Sequence, residues 1–159
     1  HLNENVQADQ PHGIIVESGT WTPYYQPQYG NFGNIEYSEQ SGYYYRNNKL
    51  VYLYGYISVD GTTFDKGTAS GRLRIAGIPF APAYRSLFLA NGSFRWNTDE
   101  DTIGIYLAVE RSGYLSVKKI VKPNFFYTGI PDEDIYVSNM LETDNTHINH
   151  LTFSVIYTI

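Results

Sequence analysis

Residues 49–60 read KLVYLYGYISVD, and the alternation inside that stretch decides the fold. Successive side chains of an extended strand point to opposite faces. Val51, Leu53, Ile57 and Val59 therefore share one face, and Tyr52, Tyr54 and Tyr56 share the other. The first set is aliphatic and reads as core. The second is a row of phenols, which bury along the ring yet keep a hydroxyl for water, sugar or another chain. The chain holds 16 tyrosines and no cysteine, so any account of its function has to explain that second face.

Working outward, nearly all of the chain reads as β. Residues 13–17 are short and aliphatic, and 21–25 form an edge segment because Pro23 cannot donate to a ladder. Residues 35–37 are a third short strand. Residues 41–47 alternate Tyr43 and Tyr45 against Tyr44 and Arg46, and Asn47-Asn48 is a tight turn into the two-faced strand. After Asp60-Gly61 a loop runs to Gly67, a strand covers 71–75, and Pro79 with Pro82 makes a corner.

Residues 85–96 are apolar but interrupted at Asn91-Gly92, which is either a bulge or a hairpin turn. Ile103, Ile105, Leu107 and Val109 share a face, and so do Leu115 and Val117. Residues 139–142 form one helical turn that Ser138 caps. The closing stretch puts Leu151, Phe153, Val155, Tyr157 and Ile159 on a buried face. Many short strands with Gly, Pro and Asn turns argue for an all-β sandwich or barrel, and the fold expected is an antiparallel β-sandwich of Greek-key or jelly-roll type. With one bulged strand at 85–96, loops 61–69, 97–102 and 123–146 gather at one end of the sandwich. A hairpin at Asn91-Gly92 reverses every later loop.

At 159 residues the chain suits one domain. Residues 1–12 read as a polar N-terminal stem and 13–159 as the domain. The polar start should fray alone, and a neighbouring chain is the simplest thing to hold it. His1 in place of an initiator Met reads as the start of a fragment cut from something longer, and no signal peptide is recognisable. Charged residues are 17%, below the usual value of about 25%. Low charge with many aromatics argues for contact surfaces beyond the chain's own core. A net charge of −5 argues against nucleic acid. Lys118, Lys119 and Lys122 read as a solvated strand end. No apolar run approaches the ~18 residues of a membrane span. The absence of cysteine removes disulfides and thiol chemistry, and fits assembly in a cytosol.

Catalytic patterns are sparse, and the expectation is that the chain is not an enzyme. There is no G-x-S-x-G and no Ser-His-Asp set. His147 and His150, three apart on a strand, face opposite ways, so no metal site and no cofactor are expected. An axial histidine ring between symmetry mates is the sharper alternative to solvated imidazoles. Asp99-Glu100-Asp101 and Asp132-Glu133-Asp134 lack EF-hand spacing and read as solvated loop charge rather than calcium ligands.

Gly19-Thr20-Trp21-Thr22-Pro23, then Ser41-Gly42-Tyr43-Tyr44-Tyr45-Arg46, then Gly71, Leu73 and Ile75, then Ala76-Gly77-Ile78-Pro79-Phe80 follow one another in order. Over residues 19–80 this succession resembles a C-terminal domain of phage tail fibres, tailspikes and related receptor-binding proteins. The chain departs from that pattern at Asn47-Asn48, where the family usually has glycine, although asparagine also tolerates positive φ. The resemblance implies a β-sandwich assembled as a parallel homotrimer at a fibre tip. It implies attachment to bacterial surface polysaccharide of teichoic acid or lipopolysaccharide type, with no covalent chemistry. It also implies a place on the virion, made in host cytoplasm and acting outside the cell. Trp21 and Phe80 carry over as structural residues only.

Two surfaces are candidates for contact. Tyr52, Tyr54 and Tyr56 are expected at the trimer interface, with a glycan platform as the other reading of that face. Trp96, Asn97, Asp99 and Asp101, with Phe64 and Tyr127, are the expected ligand-binding patch. Sugar rings stack on aromatic side chains while Asp and Asn take the hydroxyls. Trp96 as a plug of the sandwich end is the bland reading. A carbohydrate-binding module of a secreted enzyme is the main alternative function, and a glycan-degrading enzyme with paired carboxylates the third.

Overall fold

A computed structural model of the chain describes residues 15–93, 102–121 and 132–159. Among the described residues the strands are β1 (Val16–Thr20), β2 (Tyr24–Tyr29), β3 (Tyr37–Asn47), β4 (Leu50–Val59), β5 (Ser70–Ala76), β6 (Ser86–Ser93), β7 (Thr102–Glu110), β8 (Tyr114–Val121), β9 (Asp132–Asp134) and β10 (Ile148–Thr158). They join in one antiparallel sheet of order β1-β3-β4-β10-β6-β7-β8-β5-β2, with β9 added to β8.

β1 and β2 follow one another in the chain yet stand at opposite ends of that order, so the sheet curls until its two edges meet. Trp21, between them, fastens the seam. Its backbone N–H donates to Gly42 O (3.1 Å) and its indole N–H to Tyr54 O (2.9 Å). A side chain on Gly42 would put its Cβ 2.5 Å from the indole nitrogen, so the close approach needs glycine. Across the seam, side-chain bonds replace a backbone ladder. Gln40 Nε2 donates to Pro23 O (2.8 Å), and Tyr25 N donates to Tyr37 Oη (2.8 Å). Pro27 sits in β2, where an edge position tolerates its missing N–H.

The inward faces share one core. Val51, Leu53 and Ile57 of β4 and Leu151, Phe153 and Val155 of β10 pack in one cluster with Leu73 and Ile75, Leu107 and Val109, and Leu115 and Val117 of the other half. Each such side chain, removed from water, contributes roughly 1.5–3 kcal/mol before the entropy of ordering it. Between β5 and β8 the pairing is brief, and Ile135 fills the gap. It donates to Val117 O and accepts from Leu73 N.

The all-β, antiparallel expectation holds, and so does the inside–outside alternation of β4, β8 and β10. Several details differ. Asn91-Gly92 is not a turn: β6 runs through it, pairing residues 86–90 with β7 and 90–93 with β10. Loop 61–69 and residues 138–146 accordingly gather at one end, where Gly61 N–H donates to Asn145 O. The β3–β4 turn lies one residue later than expected, at Asn48-Lys49, and Asn48 takes φ 55° as a replacement for glycine. β1 begins at Val16 rather than 13, and Trp21 belongs to the β1–β2 connection rather than to a strand. Residues 35–37 lead into the long β3 instead of forming a strand of their own.

Ile103 is exposed, not inward, because a register shift between Thr102 and Gly104 breaks the alternation. The helical turn is a 3-10 turn at Val137–Asn139, two residues early. Tyr136, not Ser138, stands at its N-cap.

The 132–134 acidic cluster is not solvated loop charge, because it forms β9. Lys118 pairs with Asp134 (2.9 Å) and Lys119 with Glu133 (3.4 Å), in cross-strand register. The expectation of solvated Lys118 and Lys119 fails with it, since Lys119 is buried. The expected stem at 1–12 lies outside the described residues.

Candidate functional site

The outward face of β3, β4 and β10 is built by simple register. Tyr43 and Tyr45 of β3 lie opposite Tyr54 and Tyr52 of β4, and Ser41 lies opposite Tyr56. On the far side of β4, Thr152, Ser154 and Ile156 lie opposite Tyr56, Tyr54 and Tyr52. Five tyrosines therefore tile a patch flanked by β-branched and hydroxyl residues. The outward positions 41, 43 and 45 of β3, 50, 52, 54 and 56 of β4, and 152, 154, 156 and 158 of β10 carry no charge. Along β1 the neighbours are Ser18, opposite Tyr45, and Thr20, opposite Tyr43.

The rings are ordered by one another. Tyr43 and Tyr54 sit with centroids 6.4 Å apart and planes 33° from parallel. The Tyr52 hydroxyl donates to Ser154 Oγ (3.1 Å). Tyr43, Tyr45 and Tyr52 remain 60%, 48% and 42% exposed, and Ile156 46%. Tyr54 and Tyr56 are half-buried beneath their neighbours. Leu87 and Leu89 of β6 extend the exposed apolar surface beyond β10. An exposed aromatic and aliphatic patch of this kind is a candidate contact surface.

Three other tyrosines behave differently. Tyr25 and Tyr157 are buried, with hydroxyls donating to Asn149 O and Phe80 O, and Tyr37 is half-buried under Tyr25. Burial raises the Tyr25 and Tyr157 hydroxyls well above the ordinary phenol range and pushes Tyr37 up to about 12. The Tyr25 N–H bond to its oxygen only partly offsets the desolvation at Tyr37. The Tyr25 and Tyr157 hydroxyls are protonated structural donors, and the Tyr37 oxygen accepts from Tyr25 N–H. Asn149, with φ 49°, is a polar node that the sequence did not announce. Its side chain brackets the Leu141 backbone, accepting from N–H (2.9 Å) and donating to O (3.0 Å).

The sequence-derived ligand patch is not assembled among the described residues. Trp96, Asn97, Asp99, Asp101 and Tyr127 lie outside them. Phe64 is buried in the core cluster with its ring 5.8 Å from Phe32. Its burial leaves no ring face for a sugar, so its role is packing. Tyr52, Tyr54 and Tyr56 do share one outward face, as expected from the alternation.

Trp21 is buried, and Phe80 packs edge-on against Tyr44 (5.4 Å) beneath the Arg46 guanidinium (4.9 Å). Both are structural side chains. Among the described residues no group of three or more His, Asp and Glu side chains is arranged to hold a metal ion, and no helix is long and apolar enough to cross a membrane. No family model, curated protein or solved structure matches this chain.

Proposed function

We propose that this chain is the non-catalytic host-recognition domain of a phage tail fibre or receptor-binding protein. Its inward faces form a β-sandwich, and three copies associate through the Tyr52–Tyr54–Tyr56 face. The assembled tip binds bacterial surface glycan of teichoic acid or lipopolysaccharide type. One observation carries the reading: a chain of net charge −5 keeps an uncharged tyrosine face open over three neighbouring strands. Two copies with the same net charge repel at long range, and a neutral patch is where they approach at least electrostatic cost. Tyrosine also suits subunit contacts, since its ring is apolar and its hydroxyl tolerates trapped water.

Light scattering tests the assembly directly. The expected mass is three times the 18.2 kDa of the chain, and a monodisperse monomer ends the trimer reading. Pull-down on intact bacteria and on purified cell-wall polysaccharide tests recognition, and no retention on either ends the receptor-binding part.

The exposure of Tyr43, Tyr45 and Tyr52 supports a second reading, a carbohydrate-binding module in which the same face is the sugar platform. In that case the chain is monomeric, and polysaccharide perturbs tyrosine fluorescence. A trimer whose tyrosine signal is unmoved by bound polysaccharide excludes it.

A further inference from the structure

At the loop end, Lys66 of loop 61–69 and residues 138–143 line a half-open pocket of about 380 Å³. That is the lower end of the size range of small-ligand sites, roughly 300–1,000 Å³. We propose that it is a saccharide subsite that holds one pyranose ring through a pair of adjacent hydroxyls. The proposal rests on the glycan-binding part of the functional reading and not on the trimer, because the pocket is built from a single chain.

The chemistry of the wall is specific. Lys66 Nζ and Glu142 Oε1 stand 3.3 Å apart, with side chains 25% and 50% exposed. An ammonium has three donor hydrogens and a carboxylate about four acceptor sites, so one mutual contact leaves both with capacity. Together they present a donor beside an acceptor. Adjacent ring hydroxyls need that arrangement: one oxygen accepts from the ammonium while the next O–H donates to the carboxylate. Ser138 and Thr143 add hydroxyls to the lining, and Leu141 supplies an apolar surface for the C–H face of a ring. The Thr143 oxygen accepts from Asn145 N–H (3.3 Å), which leaves its proton free to donate. Among the described residues the wall holds one cation and one anion, so that part of it carries no net charge and selects hydroxyls over an ionic headgroup.

The walls are held before any ligand arrives. Asn139 Oδ1 accepts from Tyr136 N–H (2.9 Å) and fixes the 3-10 turn. Asn149 clamps Leu141 from both sides of its peptide. Asp65 Oδ1 accepts from Gly67 N–H (2.9 Å) and shapes the loop that carries Lys66. Preorganised polar groups lose little entropy on binding.

Amide chemical-shift mapping tests this on the intact chain with glucose, galactose, mannose and N-acetylglucosamine at millimolar concentration, and with glycerol 1-phosphate as the anionic probe. The expected result is a saturable shift at Lys66, Asn139, Glu142 and Thr143 with at least one sugar. Lys66→Met and Glu142→Gln should each weaken that sugar about tenfold. Thermal unfolding checks that both variants fold, and Thr143→Val, which leaves the ion pair intact, gives an independent smaller loss. No shift at these amides with any of the sugars overturns the proposal. So does a response to glycerol 1-phosphate alone, which makes the pocket an anion site, or sugar shifts confined to Tyr43, Tyr45 and Tyr52. The first two outcomes, with bacterial pull-down retained, remove only the pocket and leave the receptor-binding reading standing, whereas sugar shifts confined to the tyrosines also favour the sugar-platform reading of that face.

Discussion

The two halves of the curled sheet share the same kind of interior and differ on the outside. Over β5, β7 and β8 the outward surface is laced with charge. Asp134 pairs with both Lys118 (2.9 Å) and Arg72 (3.1 Å), Arg85 pairs with Glu110 (3.2 Å), and the Arg74 guanidinium lies 4.3 Å from the centre of the Tyr114 ring. Over β3, β4 and β10 the outward positions around the tyrosines carry tyrosine, serine, threonine, isoleucine and leucine and no charge, with Glu39, opposite Ser58, at the end of that face. Side-chain alternation makes a strand two-faced in either half, but only the chemistry of the outward set decides what that face is for. Charge on an outward face keeps it solvated and discourages association. Uncharged aromatic surface has no such protection and is retained where something covers it. The contrast is why the proposed contact surface lies on one half only.

The largest effects should be common to both halves. Leu53→Ala on β4 and Leu107→Ala on β7 each remove a side chain with no solvent exposure. Each should cost about 2–5 kcal/mol in denaturant unfolding, the range of buried leucine truncations. If one variant costs less than about 1 kcal/mol, the two halves do not share one core and the comparison breaks at its base.

The outward faces should then diverge. Tyr54→Lys places a cation in the centre of the tyrosine patch, half-buried against Tyr43. In the isolated chain it should cost about 1 kcal/mol, the typical effect of a point substitution, through the lost contact with Tyr43. In the proposed trimer it buries an unpaired charge at each contact, at about 2–5 kcal/mol, so light scattering should report monomers. A trimer that survives moves the interface elsewhere.

Asp134→Asn probes the other half. It cuts two ion pairs whose carboxylate side chain is 17% exposed, between the surface limit of about 0–1 kcal/mol and the buried limit of about 3–5 kcal/mol. The expected cost is about 1–3 kcal/mol with no change in oligomeric state. That cost should shrink in high salt, because the Arg72 partner is exposed and screened.

What the sequence revealed follows the range of its physics. Alternation is local, so β4 and β10 could be read residue by residue, down to the outward placement of Tyr52, Tyr54 and Tyr56. The end-to-end placement of loops hung on one dipeptide, Asn91-Gly92, whose turn propensity lost to ladder pairing with Thr152 and Leu151 of β10. Non-local pairing was invisible. Asp132, Glu133 and Asp134 look like loop charge until their partners Lys118 and Lys119 are known to lie alongside, and a three-residue strand has no period to detect. Phe64 looked like a loop aromatic open to sugar, but its burial depends on Phe32, 32 residues earlier. Asn149 gave no signal at all. A buried amide with positive φ becomes recognisable only when the backbone it brackets is in place. The pocket beside Lys66 was missed for the same reason, since its two walls are separated by some seventy residues of chain.

Tyrosines themselves give the finest test of the comparison, because the same residue type lies on both sides of the sheet. Tyr157 donates its hydroxyl to Phe80 O (2.8 Å) from a buried position, whereas Tyr45 is half exposed on the outward face. Tyr157→Phe should cost about 1 kcal/mol, the net value of one such bond, and Tyr45→Phe close to nothing in the isolated chain. The alkaline behaviour should separate them further. A phenol in the unfolded chain ionises near roughly pH 10, while burial holds Tyr25 and Tyr157 above that range and Tyr37 up to about 12. Raised native values mean that below about pH 10 both states keep their protons and the stabilisation is complete. As pH rises beyond that, the unfolded chain releases protons that the native chain retains, and stability falls. Urea midpoints at pH 8, 10 and 11 should therefore decline for the native sequence. The decline should be shallower for Tyr157→Phe, which removes one of the linked protons. An unchanged slope in that variant would mean that the Tyr157 hydroxyl ionises as freely in the folded chain as in the unfolded one, and burial on the inward face would not extend to its chemistry.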